Sequence, residues 1–313
     1  MSSTGVPGSS KAEVTVPGLL DKHARGERLV MITAYDHPSA RLVDEAGVDM
    51  ILVGDSLAMV VLGYDSTLPV TMDEMLHHAR AVARGARRAL LIGDMPFMSF
   101  QTGPRAAVRN AGRFLQEGGM NAVKLEGGRA VAASVRALCT AGIPVMGHIG
   151  LTPQHIHALG GYRVQGKSAA AARTLLADAL ALERAGCFAV VIEVVPARLA
   201  AYISARLEIP TIGIGAGAGT DGQVLVFHDL LGLWHGRSPR FVKRYGELGR
   251  DAARAIAAFC QEVEAGVFPD DQHAYTMSDP AWQAFLDVVE VEHRGDGEKG
   301  GNEGARDDQE GLP

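Results

Sequence analysis

Eight short apolar runs recur along the chain, and they limit its fold more than any other feature. They cover residues 29–34 (LVMITA), 50–54 (MILVG), 89–93 (ALLIG), 122–125 (AVKL), 144–147 (PVMG), 189–192 (AVVI), 210–214 (PTIGI) and 224–227 (VLVF). Most are continuously apolar rather than alternating, as expected of parallel strands buried on both faces. Between them, residues 38–46, 72–87, 104–117, 129–141 and 168–185 carry apolar positions at helical spacing. Ala46-Gly47, Ala141-Gly142 and Ala185-Gly186 close three of these segments, with glycine in the usual position after a helix. Thr71 followed by Glu74 marks the start of another, in a capping-box pattern. The alternation predicts an α/β fold, a (β/α)₈ barrel. An open, doubly wound sheet is the alternative. Two later segments, 245–265 and 279–291, predict extra C-terminal helices that cap the barrel or meet a partner subunit.

Domain limits follow from composition. Residues 1–18 read as a flexible N-terminal segment, 19–273 as the barrel and 274–294 as a helical extension. Residues 295–313 hold six acids against Lys299 and Arg306, so this stretch carries −4 of the chain's net −6. Rich in glycine and lacking aromatics, it is expected to be disordered. The remainder is close to neutral and has no basic footprint for nucleic acid. The cysteines, Cys139, Cys187 and Cys260, form no CxxC, so reduced thiols are expected. The chain shows no signal-peptide pattern, and no apolar stretch approaches the roughly 18 residues of a membrane span. A cytoplasmic protein is the expectation.

In an α/β barrel the reactive groups sit where strands end at the C-terminal face. Here the second run is followed by Asp55-Ser56, the third by Asp94, the fourth by Glu126, the fifth by His148 and the sixth by Glu193. A single polar residue at a strand end means little, but five ionisable groups at one level mark a site. Converging carboxylates raise each other's pKa unless a cation compensates. All-oxygen ligands suit a hard ion, Mg²⁺ above all. Asp55 and Asp94 are the best direct ligands, and Glu126 binds directly or through a water. Lys124 lies two residues before Glu126 and shares its face of the strand. A lysine aimed into a barrel needs an anion, either Glu126 or a substrate carboxylate.

This set suggests a reaction class. A metal that chelates a 2-oxo acid through its carboxylate and keto oxygens acidifies the neighbouring carbon, and a base then removes the proton. Glu193 is the candidate base.

Longer motifs carry a resemblance. ITAYD (32–36), LVGDSLAMVVLGYDSTLPVT (52–71), GDMPFMSF (93–100), VKLEGG (123–128), GHIGLTPQ (147–154), GGYRVQGK (160–167), IEVVP (192–196), IGIGAG (212–217) and TDGQVLVFHD (220–229) occur in one order. On these blocks the chain closely resembles the ketopantoate hydroxymethyltransferase family, from about residue 19 to 273. The resemblance implies transfer of a one-carbon unit from 5,10-methylenetetrahydrofolate to 3-methyl-2-oxobutanoate, giving 2-dehydropantoate for pantothenate synthesis. It also implies a (β/α)₈ barrel assembled as a homodecamer. Matched motif by motif, it puts Asp55, Asp94 and Glu126 at Mg²⁺ positions. Asp55, Ser56, Asp94 and Lys124 fall at substrate positions, and Glu193 at the proton acceptor. Ala58 departs from the glycine expected in the GDSLGM block.

Other signals are weaker. Gly217, Gly219 and Gly222 fit GxGxxG, but a strand-like run follows where a helix should open, so tight turns explain them better. His155 and His157 carry no expected role, His148 is a possible substrate contact, and His77 and His78 read as helix residues. A folate-independent, metal-dependent C–C lyase or ligase acting on another 2-oxo acid shares the metal and the enolate. A non-catalytic barrel would need neither.

Overall fold

The structure, a computed structural model, describes residues 12–233 and 239–297. Its strands are β1 (Leu29–Thr33), β2 (Met50–Val53), β3 (Leu90–Asp94), β4 (Ala122–Glu126), β5 (Val145–Gly150), β6 (Ala189–Glu193), β7 (Thr211–Ile214) and β8 (Gly222–Leu225). All neighbours are parallel and follow chain order. β8 returns to pair with β1, for instance Val30 with Gln223, and so closes the barrel. That closure rules out the open sheet. β8 lies two residues earlier than the apolar run suggested, because Phe227 already begins a helix and donates its N–H to Thr33 Oγ1 at 2.9 Å.

The helices of the barrel unit are α1 (Val16–Ala24), α2 (His37–Glu45), α3 (Leu57–Val60), α4 (Met72–Gly85), α5 (Pro104–Gln116), α6 (Ala132–Thr140), α7 (Ile156–Leu159), α8 (Ala169–Ala185), α9 (Ala197–Ser204) and α10 (Phe227–Leu231). A 3₁₀ turn at Arg129–Val131 leads into α6. The predicted box at α4 forms: Glu74 N donates to Thr71 Oγ1 at 3.3 Å, and Thr71 N donates to Glu74 Oε2 at 2.7 Å. Helices α3, α7, α9 and α10, of four to eight residues, are too short for sequence periodicity to reveal. α1 begins within the segment expected to be flexible, with Thr15 as its cap and Leu19 buried. Residues 1–11 and 298–313, on which parts of the two terminal expectations fall, lie outside the described residues.

Two layers of core result. One packs helices against the outside of the sheet. The other fills the barrel with Met31, Met50, Leu52, Leu90, Ile92, Ala122, Met146, Val191, Ile212 and Val224, closed at the bottom by Leu19 of α1. Side chains alternate along a strand. Starting from Ile92, Ala122, Met146 and Val191, steps of two therefore bring Asp94, Lys124, Glu126, His148 and Glu193 to the inner, upper face. The strands that build the core thus also aim the site.

Gly93, on β3, shows how tightly the outer layer packs. A Cβ there would stand 2.4 Å from Phe114 Cδ1 on α5, in a fully buried contact. Gly93→Ala is expected to cost about 1–3 kcal/mol through overpacking, read as a lower urea midpoint with an unchanged slope.

The chain divides into two compact units, Met1–Arg250 and Asp251–Pro313. The second contains most of α11 (Leu248–Glu264) and all of α12 (Asp279–Gly297). Within it, the rings of Phe259 and Phe268 lie 5.5 Å apart, and Trp282 stacks on Phe285 at 5.4 Å. α12 reaches Gly297, a little past the start of the tail expected from composition. Cys139, Cys187 and Cys260 are all free.

Candidate functional site

Asp55 leaves β2 through Gly54 and precedes the single turn of α3, which starts at Leu57. Its N–H donates to Asp94 Oδ2 at 3.0 Å, so the two aspartates are linked through backbone as well as charge. Ala58, the departure from the expected glycine, is fully buried in α3 and donates its N–H to Asp55 O at 3.0 Å. Helical backbone needs no glycine, so the substitution is accommodated. Ser56 sits at the head of α3, where its Oγ lies 2.8 Å from the hydroxyl of buried Tyr35.

Across the next strands, Asp94 pairs in register with Lys124, and Glu126 with His148. Lys124 Nζ lies 2.9 Å from Asp94 Oδ1 and 3.3 Å from His148 Nδ1. The expectation that Lys124 pairs with Glu126 or a ligand is thus replaced by a salt bridge to Asp94, its cross-strand neighbour. Glu126 turns instead toward the β5 side. Its Oε2 accepts from Gln154 N at 3.0 Å and lies 3.9 Å from His155 Nδ1, while Oε1 lies 3.5 Å from His148 Nδ1. The other nitrogen of His148, Nε2, is 3.2 Å from Glu193 Oε2. One imidazole therefore bridges Glu126 and Glu193.

The backbone around Glu193 is constrained. Val194 has φ +49°, a left-handed value that a β-branched residue adopts only under strain. Its N–H donates to Ile214 O at 2.8 Å, and its carbonyl accepts from Gln165 N at 3.0 Å. On the other side, a Cβ at Gly150 would stand 2.2 Å from Glu193 O, so only glycine allows this approach of β5 to β6.

Gln154 is the residue that strand-end reading missed. Its Nε2 donates to Asp55 Oδ2 at 3.0 Å and to Met95 O at 2.9 Å, and its Oε1 accepts from Gln101 at 3.0 Å. It thus ties loops after β2, β3 and β5 together. It sits beyond the strand end and carries no charge, so only its place in GHIGLTPQ marked it. His155 also lies closer to the site than expected. His78 serves structure, with Nδ1 2.6 Å from Tyr35 O, and His157 and His77 are exposed. The glycine-rich stretch after β7 forms turns, with Gly215 and Gly217 at positive φ, and runs into β8.

Burial shapes the electrostatics. Asp55 is held well above the usual carboxylate range by burial, then by Asp94 and Glu126, with Lys124 and Gln154 offsetting only part of this. Burial also pushes Glu126 upward, but His148, His155 and Lys124 outweigh it and bring Glu126 down to about 2. Burial and Lys124 lower His148, yet Glu126 and Glu193 raise it more, to about 9. Lys124 is lowered by burial but raised above the ordinary lysine value by Asp94, Glu126 and Asp55.

With Asp55, Asp94, Glu126 and Glu193 all ionised against Lys124 and a protonated His148, the mouth would be two positive charges short, and Asp55 is held back from ionising until a cation joins it. Glu126 Oε1 is buried without a hydrogen bond. Among the described residues, no three His, Cys, Asp or Glu side chains converge into a metal cage. The Lys124 ammonium and the Gln154 amide take up carboxylate oxygens here. A Mg²⁺ ion takes only about one or two protein carboxylates, with waters and substrate supplying the rest. The oxygen donors and the charge deficit therefore fit a hard divalent ion.

Comparisons with known proteins agree on family and fold. A family model described as ketopantoate hydroxymethyltransferase matches residues 13–271. A 3-methyl-2-oxobutanoate hydroxymethyltransferase from Oleidesulfovibrio alaskensis is 61% identical over 250 residues, covering 80% of this chain and 86% of that protein. One of the same name from Carboxydothermus hydrogenoformans is 57% identical over 265 residues, covering 85% and 96%. Among solved structures, phosphonopyruvate hydrolase superposes with a TM-score of 0.55 at 15% identity, covering 90% of this chain and 99% of that one. A 2,3-dimethylmalate lyase of the PEP mutase/isocitrate lyase superfamily gives 0.53 at 16% identity, covering 93% and 100%. At such identities these two speak for the barrel alone.

Proposed function

The chain belongs to the ketopantoate hydroxymethyltransferase family, and on that footing we propose how its barrel mouth performs the reaction. It is a hydroxymethyltransferase of pantothenate biosynthesis acting on 3-methyl-2-oxobutanoate. The one-carbon donor is 5,10-methylenetetrahydrofolate, and with one water the products are 2-dehydropantoate and tetrahydrofolate.

Asp55 and Asp94 would hold Mg²⁺, with Glu126 contributing directly or through a water. When bound, the ion supplies Lewis acidity at the keto and carboxylate oxygens of the 2-oxo acid, which acidifies C3. Ser56, braced by Tyr35, donates to the substrate carboxylate, and Lys124 offers its charge on the opposite side. Glu193 removes the proton from C3. His148 orients that carboxylate through Nε2 and passes charge compensation between it and Glu126. Water releases the donor's methylene carbon as formaldehyde, breaking both of its C–N bonds and returning tetrahydrofolate, and the C3 carbanion attacks that carbonyl, whose oxygen takes up a proton to complete the new hydroxymethyl group. Gln154 keeps the carboxylates of β2 and β4 at their spacing throughout.

A single observation carries this reading: Asp94, Lys124, Glu126, His148 and Glu193 share the inner face of four adjacent strands, in contact from one to the next. Purified protein with Mg²⁺, 3-methyl-2-oxobutanoate and methylenetetrahydrofolate is expected to form 2-dehydropantoate, and chelation by EDTA to abolish it. Folded protein that turns over equally well without the folate would be a C–C lyase or ligase of another kind. Mg²⁺ is also expected to raise the melting temperature, by an amount that keeps growing with the logarithm of its concentration once the site is saturated.

The protein works as a homo-oligomer, by family resemblance a decamer, in the cytoplasm. In support, Ile256, Phe259 and Val263 of α11 are exposed at helical spacing, an apolar stripe suited to a subunit contact. No helix among the described residues is long and apolar enough to cross a membrane. Sedimentation velocity tests the assembly.

A further inference from the structure

Beside the mouth lies a cleft of about 380 Å³, between the loop after β2 and the loop after β5, lined by Asp65, Ser66, Ile156, His157, Gly161 and Tyr162. Its volume is within the roughly 300–1,000 Å³ of small-molecule sites. The cleft wall is continuous with the catalytic residues. Gln154 and His155, just before Ile156, contact Asp55 and Glu126, and Gln165 is bonded to the carbonyl of Val194, next to Glu193. Tyr162 is 55% exposed, with its hydroxyl on Met59 Sδ at 3.5 Å, so much of its ring is uncovered. Its phenol is raised by burial and then by Asp55, Glu193 and Glu126, which puts it within their electrostatic reach. Val61, Tyr64, Phe97 and Met98 add exposed apolar surface on the loops after β2 and β3. Among the described residues, the side chains of Asp65, Arg163 and Lys167 form no hydrogen bond or ion pair.

Building on the donor assigned above, we propose that this cleft binds the one-carbon donor, with its pterin ring against Tyr162. The chemistry is complementary at three points. A pterin presents an amino group and a ring N–H side by side, a pair of donors that one carboxylate, Asp65, accepts together. Its flat ring covers an aromatic face. The aminobenzoyl-glutamate arm carries two carboxylates, which Arg163 and Lys167 on the same loop neutralise. The methylene carbon lies between ring and arm, and so falls next to the mouth.

The test is calorimetric titration of the full chain with tetrahydrofolate, in the presence of Mg²⁺ and 3-methyl-2-oxobutanoate. Tyr162→Ala and Asp65→Asn are each expected to weaken tetrahydrofolate at least tenfold. The double variant Arg163→Ala/Lys167→Ala is expected to lose most of the salt dependence of binding. Titration with the oxo acid alone serves as the control for a damaged mouth. If wild type binds tetrahydrofolate and Tyr162→Ala and Asp65→Asn bind it equally well, the cleft is the wrong place and the donor stands. If wild type exchanges the oxo-acid proton but binds no tetrahydrofolate, the donor itself is wrong and the cleft falls with it. A change of oligomeric state in Tyr162→Ala, with folate affinity kept, would make the rim a subunit surface instead.

Discussion

Glu193→Gln slows exchange of the C3 proton of 3-methyl-2-oxobutanoate with deuterated water by about 10²–10⁴-fold, the usual contribution of a positioned general base. The measurement follows the C3 proton signal by NMR, with Mg²⁺ and without the folate donor, so that deprotonation is observed apart from transfer. Glutamine preserves the shape of the side chain, and its amide oxygen can take the place of the carboxylate oxygen that lies 3.2 Å from His148 Nε2. Because Glu193 ends a strand whose neighbours are held by Gly150 and Val194, the backbone should not move. The substitution therefore removes proton affinity and little else. Exchange at the wild-type rate would assign the base to another group.

Lys124→Met removes the cation at the centre of the site and is expected to cost about 3–5 kcal/mol of folding stability, the range for breaking a buried ion pair from one side. Lys124 is 4% exposed and Asp94 1%, so water cannot replace the lost partner. Asp55 and Glu126, which also feel this charge, become harder to ionise. Urea denaturation measures the loss, and repeating it with Mg²⁺ present is expected to recover part of it, because the ion supplies positive charge to the same carboxylates. Product formation should fall with it. A loss below about 1 kcal/mol would put the pair on a level with an exposed surface ion pair and remove Lys124 from the centre of the charge balance.

Much of this site could be read from residue order because two simple rules act together. Strands of a barrel deliver reactive groups at their C-terminal ends, and side chains two apart share a face. Asp94, Glu126, His148 and Glu193 each follow an apolar run directly, and Lys124 lies one period before Glu126. Both rules are local, so the sequence carries them openly. Gln154 obeys neither rule. It is uncharged, it lies past the end of β5, and its partners Asp55 and Gln101 are distant in sequence. The partner of Lys124 was equally hidden. Asp94 and Glu126 are both acids at strand ends, and only the register of β3 against β4 puts Asp94 opposite Lys124.

By itself, then, the order of residues determined the alternation of strands and helices, the level at which the ionisable groups emerge, and the family to which the chain belongs. It also held the acids that a Mg²⁺ ion would need, Asp55 and Asp94 foremost. Tertiary structure alone decided how those charges are shared. Closure of the sheet brings the ends of five strands to one mouth, and burial there makes each charge depend on its nearest neighbours rather than on solvent. Hence Lys124 belongs to Asp94, Glu126 to Gln154 and the histidines, and Asp55 is left with the least compensation of the three carboxylates.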